Sequence, residues 1–187
     1  MKAQLAKLAV AATLASTAAV ASANELTFQG ATFTTSSVGN VLTLEVDADP
    51  SHLTGDWSLA RYIDGIDLKD VGSFSSASLT GPNGAWTFSP NQLNASNCSG
   101  GASTNNACFY SSPVALADNM IFTFTFTGGT QDFSAPHLQV HFLDAGFAKE
   151  GSLLSQTIPA VPEPATYALM LGGLGAMGFV ARRRRQS

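Results

Sequence analysis

The sequence predicts an all-β fold: an antiparallel, jelly-roll-like β-sandwich, flanked by an N-terminal signal helix and a C-terminal transmembrane helix. Three observations carry the sandwich. Apolar and polar residues alternate with period two in several short runs, and clusters rich in Gly, Pro and Asp separate those runs. No stretch of the central region sustains a 3.6-residue period.

Taken along the chain, Leu26 and Phe28 form the first inward pair. In "VLTLEVD", residues 41–47, Leu42, Leu44 and Val46 point inward, and Thr43, Glu45 and Asp47 outward. Asp49-Pro50-Ser51 then breaks the strand. Trp57 and Leu59 read as an inward pair before the Asp64-Gly65 turn, and Trp86 and Phe88 as another after Gly81-Pro82-Asn83-Gly84. The clearest strand is "IFTFTFT", residues 121–127, with Phe122, Phe124 and Phe126 on one face and Thr123, Thr125 and Thr127 on the other. "HLQVHF" closes the series with Leu138, Val140 and Phe142 inward. No internal repeat appears, which excludes a solenoid.

The two ends follow other rules. Lys2 and Lys7 precede an Ala-, Val- and Leu-rich run over residues 8–20, and Ala21-Ser22-Ala23 supplies a small-x-small cleavage site. That is the layout of a secretory signal peptide, residues 1–23, cut by signal peptidase. At the other end, residues 165–181 carry no charge, and their length is the lower limit for a membrane-spanning helix. Gly172 and Ala176 form a small-xxx-small pair for close helix approach. Arg182, Arg183, Arg184 and Arg185 follow directly, and such a cluster biases its flank toward the cytoplasm. Pro162-Glu163-Pro164 forbids helix just upstream, leaving an extended peptide on the outer face of the inner membrane.

Val161-Pro162-Glu163-Pro164, an apolar segment and a terminal Arg cluster, in that order, resemble the PEP-CTERM sorting signal of Gram-negative bacteria. The resemblance covers residues 161–187 and leaves the central region unassigned. It implies recognition at Pro162, Glu163 and Pro164 by an exosortase, a membrane-embedded cysteine transpeptidase. It further implies transient tethering, loss of the tail and delivery to the cell surface or an exopolysaccharide matrix.

Residues 24–160 remain as one ectodomain, of a size suited to a single core. The whole chain is −4, but six of its nine bases belong to the terminal signals. Arg61, Lys69 and Lys149 face twelve acids in the ectodomain, giving −9, a balance that excludes nucleic acid as a partner. Cys98 and Cys108 lie in a Gly-, Ser- and Asn-rich stretch of an exported chain, which predicts a disulfide.

Little in the ectodomain reads as chemistry. His137 and His141 alternate with apolar residues on a strand, about 13 Å apart at strand rise, so they cannot share a metal and are expected to face solvent. His52 stands alone, and no Gly-x-Ser-x-Gly elbow is present. Asp56, Asp64 and Asp67 are available carboxylates that read as turn-formers, and no cofactor is expected. Calcium at Asp64, Asp67 and Asp70 is a weaker reading, since the stretch lacks an EF-hand's length and terminal Glu. The Thr123, Thr125, Thr127 ladder is too small, without a repeat, for an ice-binding face. The expectation is therefore a non-enzymatic surface or matrix protein. The alternative is an exopolysaccharide-binding module stacking sugars on exposed Trp57 and Trp86, with Tyr62 and Tyr110 as further candidates.

Overall fold

The computed structural model describes residues 23–103 and 106–159 together with Gly173. Of the expected signal peptide only Ala23 is among these residues, where it opens the first strand opposite Ser36, and of the expected transmembrane segment only Gly173. Ten strands run in chain order: β1 (Ala23–Phe28), β2 (Ala31–Val38), β3 (Val41–Asp47), β4 (Tyr62–Lys69), β5 (Ser76–Gly81), β6 (Gly84–Ser89), β7 (Asn106–Ala115), β8 (Met120–Thr127), β9 (His137–Leu143) and β10 (Leu154–Thr157). A 3-10 turn, Gly55–Trp57, lies between β3 and β4. Every pairing is antiparallel, in the order β1-β2-β3-β8-β5-β6-β7-β4-β9-β10.

The all-β, antiparallel expectation is met, but the hydrogen bonds do not divide the strands into two separate stacked sheets. Strand β6 is the joint: its first half pairs with β5 (Leu79↔Trp86) and its second half with β7 (Phe88↔Phe109). The result is one continuous sheet, and its core contacts require it to curl. Phe33 on β2 and Phe142 on β9 stand second and ninth in the order, yet both rings pack on Trp57, with centroids 6.3 and 4.8 Å away. Phe109 on β7 meets Phe124 on β8 at 5.6 Å across the same concave face. Even the edges approach each other, where the Glu25 N–H on β1 donates to the Pro159 carbonyl just beyond β10 (3.3 Å).

Period two explains which side chains fill the concavity. Leu42, Leu44 and Val46 on β3 and Phe122, Phe124 and Phe126 on β8 are buried, whereas Thr43, Glu45, Thr123 and Thr125 on the convex face are only half-buried. The β1–β2 connection is a two-residue hairpin through Gln29 and Gly30, both with positive φ (48° and 84°), as right-handed strand twist favours. A Cβ at Gly30 would fall 2.1 Å from the His52 carbonyl oxygen, so glycine is required twice over.

Two predicted inward pairs are corrected. Trp57 is buried but Leu59 is 61% exposed, because Trp57 lies in the 3-10 turn, where strand alternation does not hold. Trp86 is buried and packs edge-on against Phe122 (5.4 Å), while Phe88 stays exposed against Phe109 at the joint where β6 changes partners.

Candidate functional site

The polar groups that could carry chemistry gather on the convex side of β7, β4 and β9. Alternation along β4 sends Ile66 and Leu68 into the core and turns Gly65, Asp67 and Lys69 outward. Ile63 pairs with Phe142 and Gly65 with His141, so Asp64 is an extra residue, a β-bulge. The bulge aims Asp64 at its neighbour on β9, and Asp64 Oδ1 lies 2.6 Å from His141 Nδ1. On the other side of β4, pairing slips between Tyr110 and Val114, and Pro113, which has no N–H to offer, occupies the slipped segment.

The loop after β6 covers this surface, and that changes the expected roles. The Leu93 N–H donates to Asp67 Oδ2 (3.2 Å), and Asn97 Nδ2 donates to the Asp64 carbonyl (3.2 Å). His141 Nε2 reaches the Ala95 carbonyl at 3.3 Å, a bond in which that nitrogen donates. Gly65 makes the close approach possible, since a Cβ there would sit 2.5 Å from Asn97 Oδ1. Cys98 and Cys108 close the loop in a disulfide with Cα atoms 5.8 Å apart, as the sequence predicts. A ring this short is worth roughly 2–3 kcal/mol in the chain-entropy picture.

His141 is therefore not solvent-facing: it is 4% exposed because the loop lies over it. His137 is half-buried, with Nε2 3.0 Å from Ser155 Oγ. Asp67 is fully buried and Asp70 exposed; Asp64 Oδ1 is engaged with His141, and the two Asp67 oxygens with Leu93 and Asn106. Among the described residues no three His, Cys, Asp or Glu side chains converge to hold a metal ion. Asp56 accepts from Ser152 Oγ (3.2 Å), and His52 is exposed in the turn after β3.

Burial, the largest influence, raises the Asp67 carboxyl to about 6 against the Leu93 N–H, Lys69 and Asn106, which pull it down. Its folded value lies above the ordinary 3.8, so the proton is held more tightly folded than unfolded. Stability from this group is present below pH 4 and is lost as pH rises through about 6. We expect the unfolding free energy to fall by roughly 3 kcal/mol across that window, a decline that Asp67→Asn removes. Denaturant titrations at pH 4, 5, 6 and 7 measure it; a decline of equal size in the variant would place its source elsewhere. Asp49 and Asp132, held below the ordinary carboxylate range by hydrogen bonds from Ser51 and Ser134, act oppositely and only at lower pH.

The proposed sugar platforms do not survive folding. Trp57 is 1% and Trp86 6% exposed, so neither indole presents a face to a ligand. Trp57 instead donates Nε1–H to the Ser152 carbonyl (3.0 Å), and Phe28, Phe33 and Phe142 surround it edge-on. Tyr110 is exposed on the convex face, and Tyr62 is half-buried beneath Phe147, with ring centroids 4.8 Å apart. Phe147 was not legible as a candidate: it is exposed and carries a left-handed backbone (φ 62°), rare for a bulky residue. Asp144 holds it there, its Oδ1 accepting from the Gly146 and Ala148 N–H groups (2.8 and 2.9 Å).

The sorting motif at Pro162, Glu163 and Pro164, residues 165–181 apart from Gly173, and Arg182, Arg183, Arg184 and Arg185 lie outside the described residues. Among the described residues no helix is long and apolar enough to cross a membrane. The root of the tail is well defined. Ile158 is fully buried and donates its N–H to the Pro136 carbonyl (2.9 Å), and Pro159 accepts from Glu25. Residues 160–185 match the PEP-CTERM protein-sorting motif, so the chain carries a signal for export and membrane-associated processing by an exosortase-type enzyme. No curated protein and no solved structure matches the chain.

Proposed function

We propose that the chain is a non-enzymatic structural protein of the cell surface or extracellular matrix, held briefly at the inner membrane and delivered by its sorting signal. The observation that carries this reading is the PEP-CTERM match at residues 160–185. The fold supports it. Chemistry-capable groups such as His141, Asp64 and Asp67 are spent on holding a disulfide-closed loop against the sheet. In this reading the curled sheet is a jelly-roll-like variant, supported by the contacts that Trp57 makes with strands from both ends of the sheet order. Residues 1–23 act as the signal peptide and residues 165–181 as the transient membrane helix in this account. Glu163→Ala with Pro164→Ala should leave the protein in the membrane fraction with its tail intact. Undiminished release of that variant into the medium would contradict the sorting role.

One observation favours a second role for the same domain, exopolysaccharide binding. Phe147 is exposed in a costly conformation, its ring tilted against Tyr62, and the pair offers aromatic surface to the apolar face of a pyranose. Phe147→Ala should weaken retention on the producing organism's polysaccharide while leaving thermal unfolding nearly unchanged. Equal retention of variant and parent would remove this role.

A further inference from the structure

The distance between the fold and its sorting motif is fixed by covalent geometry. Ile158 is buried and Pro159 is bonded to β1, so Pro159 belongs to the folded domain. Only Ala160 and Val161 lie between Pro159 and Pro162. A fully extended chain spans at most about 3.6 Å per residue, so Pro162 lies within about 11 Å of Pro159. An enzyme embedded in the membrane must close around a peptide on that short tether.

The surface it would meet is built from three pieces of chain. Strand β10 ends there, β1 begins there, and the last part of the β8–β9 connection, residues 133–136, bonds to both. Antiparallel pairing of Thr157 with His137 and of Ile158 with Pro136 places Ala135 opposite Pro159. Asn24 donates Nδ2–H to the carbonyls of Phe133 and Ser134 (3.2 and 2.8 Å). Gln131 Nε2 donates to the carbonyls of Ser73 and Gly128 (3.1 and 2.7 Å), and Asp132 caps the Ser134 N–H (3.0 Å). The connection is therefore held in one conformation. It exposes Gly128, Gly129, Thr130, Asp132, Ser134 and Ala135, none with a bulky side chain. Such a surface lets a partner's backbone come close.

We propose that the enzyme processing the tail docks on this corner, so that Pro162-Glu163-Pro164 is read against the folded domain and not on a free linker. The proposal rests on the sorting reading above and adds the surface that the enzyme contacts. It makes the corner, together with the motif, a determinant of processing rate.

The test uses the full-length chain in cells that process it, with tail release followed by pulse-chase and intact mass. Ala135→Trp, and separately Ser134→Trp, place a bulky ring on an exposed position of the corner, and thermal unfolding of the purified proteins checks that the fold persists. Each should slow tail release by about tenfold. Six Gly and Ser residues inserted between Ala160 and Val161 should slow release from the parent chain itself to about the rate of the Trp variants, because the motif is then read away from the corner, and adding a Trp substitution to that chain should slow it no further. Unchanged release from both Trp variants overturns the proposal, as does release at the parent rate from the chain carrying the insertion. Absence of release from the parent itself would overturn the sorting reading, and this proposal would fall with it.

Discussion

Trp57→Ala should cost about 3–5 kcal/mol of stability, a large part of what a domain of this size possesses. The indole is 1% exposed and touches Phe28 on β1, Phe33 on β2 and Phe142 on β9, strands from the two ends of the sheet order. Its removal leaves a cavity where the curl brings those ends together, and it orphans the Ser152 carbonyl that Nε1–H now satisfies. Trp57→Phe keeps much of the apolar contact and should cost clearly less. Denaturant unfolding of the two variants measures the difference. A cost for Trp57→Ala below about 1 kcal/mol would mean that the sheet does not close around this residue.

The second large effect lies on β8. Phe124 is fully buried between Leu42 on β3 and Leu79 on β5, and its ring meets Phe109 at 5.6 Å. Phe124→Ala should again cost about 3–5 kcal/mol. Thr125, one residue on, faces the convex side between Val41 and Ser78 and is only half-buried, so Thr125→Ala should change stability by about 0.5 kcal/mol. The contrast between neighbours is the signature of period two. A damaging Thr125→Ala beside a tolerated Phe124→Ala would invert the register of the central strand.

What could be read from the residues follows from the range of the forces involved. Strands β3, β8 and the first half of β9 were legible because alternation is local and each there has one buried face. The disulfide was legible because its partners are close in sequence and no other cysteine competes. Leu59 and Phe88 were misread where the chain leaves regular strand geometry, in a 3-10 turn and at a strand shared by two partners. His141 was misread for a different reason. Its parity on β9 was right, but its burial depends on a loop some 45 residues earlier that a bulge, a disulfide and Gly65 jointly hold against the sheet. Asp67, a carboxylate flanked by Ile66 and Leu68, was the one local hint that this face is covered. The sugar-stacking choice failed because large aromatic rings contribute most when buried, and both tryptophans of the chain are used that way.

Sorting is the central claim, and the covalent state of the released protein tests it most directly. Intact mass and terminal peptide mapping of protein purified from the medium should show a chain that lacks residues 1–23 and ends near Pro162-Glu163-Pro164, without Arg182, Arg183, Arg184 and Arg185. Released protein that retains the arginine cluster would contradict the account.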